Sequence, residues 1–331
     1  MRYFQEENGL APTLRAQDLL DILGPSLPCE VEARDVFIGN GVSEVVNFAL
    51  MPLLNPGDEV LIPTPNYSLW SNTILLASAK PVYYRCDEAS EWNPDIADIK
   101  AKITSKTKAI VIINPNNPTG ALYPEEVLNQ ILDVAREHNL IVFSDEIYDR
   151  LVMDGLEHIS TASLAPDLFC VTFSGLSKSH MVCGFRVGWM ILSGNKKIAK
   201  DYIQGINMLA NMRLCSNVPA QSIVQTALGG YQSVKNYIVP GGRIYEQAEF
   251  ITKALNDIPG ITAVKPKAAF YIFPKIDTKR FNIVDDEKFA LDLLRDKFIT
   301  EGLEEGILNF ESAALSIANE LEDYYEGDTE N

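Results

Sequence analysis

Short, continuous apolar runs alternate with amphipathic stretches through the middle of the chain. The runs are Val36–Ile38, Glu59–Pro63, Pro81–Tyr84, Ala109–Ile113, Leu140–Phe143, Leu168–Phe173 and Trp189–Leu192. Apolar residues at successive positions over so few residues predict strands covered on both faces, the habit of parallel sheets. Val45–Leu54, Pro94–Ile103 and Pro124–His138 fall between the runs. In the last of these, Val127, Ile131, Val134 and Ala135 recur at helical spacing. Alternating strands and helices predict an α/β fold, and ligand sites in such folds gather beyond the carboxyl ends of the strands.

The residues that follow these runs therefore carry the candidate chemistry. Val36–Ile38 leads into Gly39-Asn40-Gly41-Val42-Ser43-Glu44 and then a helix, a geometry that turns free backbone N–H groups toward an anion. Glu59–Pro63 leads into Thr64-Pro65-Asn66-Tyr67, with Trp70 close by as a pocket-lining or core residue. Ala109–Ile113 ends in Asn114-Pro115-Asn116-Asn117-Pro118-Thr119-Gly120, and Leu140–Phe143 in Ser144-Asp145-Glu146-Ile147-Tyr148. A carboxylate at the end of a buried strand is costly unless it is paired. Leu168–Phe173 is followed by Ser174-Gly175-Leu176-Ser177-Lys178, and Arg186 stands eight positions further on. A desolvated lysine can lose its proton and attack a carbonyl, and a nearby arginine can grip a phosphate bidentately. Taken singly, each feature also reads as ordinary structure: a turn, a helix cap, an exposed lysine, a solvated arginine.

Taken in order, the glycine turn, Tyr67, NPxNPTG, DEIY, SxxSK and GFRxGW resemble class I/II aminotransferases, the fold-type I enzymes that use pyridoxal 5'-phosphate (PLP). The resemblance spans roughly residues 35–275. Met208–Asn217, Thr226–Tyr231 and Lys265–Lys279 are similar to the bacterial alanine-forming branch. The resemblance implies a mostly parallel seven-stranded sheet sandwiched by helices over 35–235. It also implies a smaller α+β domain from 1–34 and 236–331. Lys178 would carry the cofactor covalently, with Ser177 beside it. Gly41, Val42, Ser43 and Arg186 would hold its phosphate, and Tyr67 would stack on its ring. Asp145 would pair with the pyridinium nitrogen. Asn117 and Tyr148 would bind the phenolic oxygen, with Asn117 also near the substrate carboxylate. Active sites at a subunit interface imply a homodimer, with Tyr3 or Phe4 reaching toward the partner.

Composition narrows the partners. The 331 residues are 47% hydrophobic and 22% charged, ordinary for a globular chain with ample core. A net charge of −17 argues against nucleic acid, because no basic stripe is available to neutralise phosphates. No apolar run reaches the ~18 residues of a membrane helix, and MRYFQEENGL lacks the apolar core of a signal peptide. Five scattered cysteines without a CxxC suggest neither a disulfide framework nor a zinc site, which favours a reducing cytoplasm. Cys183, near Lys178, reads as a packing residue.

Both ends depart from the resemblance. Leu14–Leu23 predicts a short helix and Gly302–Tyr325 an acidic one. No Lys or Arg follows Lys297, and Glu301 to Asn331 carries ten acids. The family's closing segment would supply an arginine that grips the substrate α-carboxylate. Arg213 and Arg295 are the candidate substitutes. The expected function is amino-group transfer between an L-amino acid, alanine or glutamate, and a 2-oxo acid. The alternatives are a PLP-dependent β-lyase, which shares the same residues, and a catalytically impaired PLP-binding paralogue that lacks the carboxylate arginine.

Overall fold

The computed structural model describes residues 31–293 and Arg295. The readings for Tyr3, Phe4, Leu14–Leu23 and the acidic tail lie outside the described residues. The chain divides into two compact units. Among the described residues, one takes in those up to Asn236 with Lys267–Ala269, and the other Tyr237–Pro266 with the residues after Ala269.

The first unit opens with β1 (Val36–Asn40), α1 (Val42–Leu50), β2 (Glu59–Thr64), α2 (Ser68–Leu76), β3 (Lys80–Asp87) and β4 (Asn93–Pro94). It continues through α3 (Ile96–Lys102), β5 (Thr107–Ile113), α4 (Glu125–His138), β6 (Ile141–Asp145), β7 (Phe169–Gly175), α5 (Leu176–Ser179) and β8 (Val187–Gly194). It closes with α6 (Lys200–Arg213), α7 (Val218–Gln221) and α8 (Val224–Gly229). The eight strands form one sheet in the order β1-β8-β7-β6-β5-β2-β3-β4. β3, β2, β5, β6 and β7 pair in parallel, whereas β8 is antiparallel to both β7 and β1. The eighth strand beyond the expected seven is β4, two residues that pair antiparallel with the end of β3. Two residues carry no periodicity, so no sequence pattern announces them.

The long apolar runs form the strands because both faces of the sheet are covered. Val60, Leu61, Ile62, Ile110, Val111, Val142, Phe143 and Val171 are wholly buried. Each such side chain contributes roughly 1.5–3 kcal/mol of transfer free energy. α4 lays Leu128, Ile131, Leu132, Val134 and Ala135 inward, and Asn139 ends it in the left-handed conformation at φ 54°.

Sheet topology sets which loops can meet. β1, β2, β5, β6 and β7 all point the same way, so Gly41, Tyr67, Asn117, Asp145 and Lys178 follow or close strands on one edge of the sheet. Arg186 precedes the antiparallel β8 and so returns to that same edge. Close approach of β8 to the glycine turn depends on Gly188. A Cβ there would lie 2.4 Å from the Val42 nitrogen and 2.7 Å from the Gly41 carbonyl carbon. Gly188→Ala is expected to destabilise the protein by roughly 1–3 kcal/mol, because backbone must move. Urea unfolding of the variant measures it, and an unchanged midpoint would show that the two segments can separate freely.

The second unit carries α9 (Arg243–Asn256), β9 (Ile261–Thr262), β10 (Lys275–Ile276) and α10 (Asp286–Leu293), with β9 and β10 antiparallel. Leu255, Ile258, Ile261 and Phe281 form its own small core.

Candidate active site

The glycine turn is the best-defined part of the site. Gly41 caps α1 at φ 83°, a left-handed conformation that glycine adopts without strain. A side chain would also collide with Arg186, since a Cβ on Gly41 would lie 2.1 Å from Nη2. Arg186 Nη2 donates to the Asn40 carbonyl at 3.2 Å and to Ser43 Oγ at 3.4 Å, while Nη1 donates to the Cys183 carbonyl at 2.8 Å. The guanidinium thus lies across the start of α1, where the helix dipole already favours negative charge. Cys183 itself is exposed rather than packed, a correction to the sequence reading. Its loop is held through the carbonyl, which frees the side chain from any packing role.

Asp145 closes β6 with 2% of its surface exposed. Trp70 Nε1 donates to Oδ2 at 3.0 Å, and the Ile147 N–H reaches Oδ1 at 3.4 Å. Burial raises the carboxyl to a pKa of about 6, against the pull of the Trp70 bond. Trp70 is wholly buried and packs edge-on against Phe173, centroids 5.2 Å apart, and more nearly parallel to Phe143. It therefore fills the core and orients Asp145 at once. Sequence reasoning missed the second role, because an indole N–H direction leaves no trace in the apolar pattern.

The remaining residues take different degrees of exposure. Tyr148 is buried and the Lys178 ammonium lies 6.0 Å from its ring centroid. Lys178 and Ser177 are half-buried on α5, and Asn117 is half-buried in its loop. Tyr67 is 42% exposed, the most open of the group. The NPxNPTG loop is tied internally. Asn114 Oδ1 accepts from the Tyr123 N–H at 2.8 Å, Asn116 Oδ1 accepts from Thr119 Oγ1 at 2.8 Å, and the Asn114 N–H donates to the Asp145 carbonyl at 3.0 Å. That last bond links the Asn117 loop directly to the strand end bearing the carboxylate.

Of the substitute cations, Arg213 donates to the Ile38 carbonyl at 3.0 Å and lies 3.3 Å from Glu44. It is committed beneath the glycine turn. Arg295 is exposed and pairs with Asp292 at 3.6 Å. No cluster of His, Cys, Asp and Glu among the described residues suits a metal ion, and no described helix is long and apolar enough to cross a membrane.

A glycine-capped helix start under an arginine, a buried strand-end carboxylate and a half-buried lysine on one sheet edge have a counterpart among known proteins. The family model for aminotransferase class I and II matches residues 16–301, and the chain belongs to that family. It is a transaminase of the fold-type I group. It is 58% identical over 271 residues to the glutamate-pyruvate aminotransferase AlaA of Escherichia coli K12, an alignment covering 82% of this chain and 67% of that protein. It is 48% identical over 301 residues to an alanine aminotransferase of Mycobacterium tuberculosis, covering 90% and 70% of the two chains. The crystal structure of an aminotransferase from Escherichia coli superposes with a TM-score of 0.90 at 48% identity, over 96% of this chain and 82% of the other. An alanine aminotransferase from Pyrococcus furiosus gives 0.85 at 34% identity, over 97% and 84%.

Proposed function

We propose that the chain transfers an amino group between L-alanine or L-glutamate and a 2-oxo acid, with PLP as cofactor. Its likeness to enzymes named for glutamate, pyruvate and alanine supports the substrate class. The single observation that carries the cofactor is Asp145: a buried carboxyl whose side-chain donor is a neutral indole, and for which no ion pair occurs among the described residues. Such a group is suited to a cationic N–H, and a pyridinium nitrogen provides one. Arg186 and the start of α1 suit a phosphate in the same way.

In this reading Lys178 holds the cofactor through Nζ with Ser177 beside it, and Gly41, Val42, Ser43 and Arg186 bind its phosphate end. Tyr67 covers the ring, Asp145 keeps the ring nitrogen protonated, and Asn117 and Tyr148 bind the phenolic oxygen. PLP, when bound, supplies an electron sink for the charge left on the substrate Cα. Once the substrate amine has displaced Lys178 Nζ from the cofactor, the freed Nζ would take the Cα proton as general base and deliver it to the cofactor carbon as general acid. Asn117 also meets the substrate carboxylate. The proposed large PLP domain spans 35–235 and the small one 1–34 and 236–331, except that Lys267–Ala269 pack with the first unit.

A homodimer suits the exposed Met208, Met212 and Leu214 at the end of α6. A cytoplasmic location suits Cys86, Cys170, Cys183 and Cys215, which are free among the described residues. The test is a single turnover. Mixing the PLP form with L-alanine is expected to convert its absorbance to that of the pyridoxamine form and to release pyruvate. Release of pyruvate and ammonia with no pyridoxamine form would point to elimination instead. No spectral change would leave an inactive binding protein.

A further inference from the structure

We propose that Glu44 and Arg213 are positioning residues: a compensating charge pair beneath the glycine turn that fixes the turn while keeping it receptive to a phosphate. The inference rests on the reading that Gly41, Val42, Ser43 and Arg186 hold the cofactor phosphate.

Glu44 stands in the first turn of α1 and folds back on the strand that precedes it. Its Oε2 accepts the Asn40 N–H at 2.8 Å and its Oε1 accepts from Asn40 Nδ2 at 3.2 Å. Asn40 offers its side-chain oxygen to the Asn217 N–H at 3.1 Å and its carbonyl to Arg186 at 3.2 Å. Asn217 Nδ2 in turn donates to the Phe185 carbonyl at 2.9 Å, one residue before Arg186. Asn40 is therefore the joint between the turn and the arginine, and Glu44 holds it from below.

Glu44 solves a geometric problem and creates an electrostatic one. An acid in the first turn stabilises a helix start, yet its charge opposes an anion bound at that same start. Arg213 removes the conflict. Its Nη1 lies 3.3 Å from Glu44 Oε2, and the two side chains are 13% and 20% exposed, so solvent screens them little. The contact is ionic rather than a hydrogen bond, because Nε and Nη1 are buried without an acceptor. One donor, Nη2, is met by the Ile38 carbonyl at 3.0 Å, while the unmet Nε and Nη1 are costly. What Arg213 supplies toward Glu44 is therefore its charge. With Arg213 in place the turn keeps the positive field of Arg186 and the helix start. Without it, a poorly screened carboxylate faces the phosphate.

The test uses the full chain freed of cofactor, titrated with PLP, with pyridoxal, which lacks the phosphate, and with inorganic phosphate. Arg213→Met is expected to weaken PLP and inorganic phosphate at least about tenfold, while pyridoxal changes less than about twofold. Glu44→Gln keeps an acceptor for the Asn40 N–H, gives up the longer Asn40 Nδ2 bond and removes the charge, so phosphate is expected to bind two- to tenfold more tightly, on the order of a modest Coulomb term. The double variant should return PLP affinity to within about threefold of the parent. Equal loss of PLP and pyridoxal in Arg213→Met, or no recovery in the double variant, would mean a merely structural role and overturn the proposal. If Arg213→Met does not fold, Glu44→Gln decides alone, and weaker phosphate binding there overturns it. If the parent binds pyridoxal as tightly as PLP, the phosphate reading itself fails and the proposal with it.

Discussion

Lys178→Ala is expected to abolish turnover and covalent cofactor attachment together. In the proposed mechanism Nζ acts both as the nucleophile that holds the cofactor and as the base that moves the Cα proton. Positioned proton transfer alone contributes roughly 10²–10⁴-fold, and losing the nucleophile adds to it. The variant should still bind PLP, more weakly, because Arg186, the glycine turn and Asp145 remain. Borohydride reduction of the parent protein followed by peptide mapping provides the check. The reduced adduct should fall on the peptide containing Lys178 and be missing from the variant. Label on any other lysine would remove Lys178 from the mechanism.

Asp145→Asn should lower kcat by roughly 10²–10³-fold, the scale of losing one well-placed electrostatic partner. The same substitution should change how the cofactor-free protein responds to pH. Burial raises the Asp145 carboxyl from 3.8 to about 6. Between those values the folded state binds more protons than the unfolded state, so stability falls as pH rises through that window. The full effect is about 3 kcal/mol at 1.36 kcal/mol per pKa unit. Urea unfolding at pH 4 and at pH 7 should show that Asp145→Asn flattens this slope. A slope unchanged in the variant would place the titration on another group. PLP should reverse the trend, since a pyridinium partner favours the ionised carboxylate.

The strands that carry the site were legible because their apolar runs are continuous. Ala109–Ile113 is the core of β5 (Thr107–Ile113), and Leu168–Phe173 overlaps all but the last two residues of β7 (Phe169–Gly175). The motifs at their ends were legible for the same reason: a polar residue stands out against a buried run. Helix α6 was harder to read, because Met208 and Met212 are 61% and 78% exposed and blur the apolar stripe. Lys267–Ala269 belong with the first unit because Val152 bridges to Ala268 and the Lys267 N–H donates to the Gly120 carbonyl at 2.9 Å. Contacts across so much intervening sequence leave no local pattern. The tie from Trp70 to Asp145 and the Glu44–Asn40–Arg213 group were invisible for a related reason. They depend on where side chains point once strands 1 and 8 have met.

That meeting has a consequence for how the protein becomes competent. The Arg186–Asn40 bond joins residues 146 apart in sequence, through an antiparallel pairing at the outermost strand of the sheet. The full grip on a phosphate needs both halves, and closing so long a loop is slow relative to local helix formation. Affinity for phosphate should therefore emerge late during refolding, after the helices have acquired their far-ultraviolet signal. A ligand that recognises only the completed edge acts as a clasp: it withdraws molecules from the open population and slows fraying of β1. Hydrogen exchange along Val36–Asn40 should slow on adding PLP far more than exchange in β5, which the strands on either side already shield.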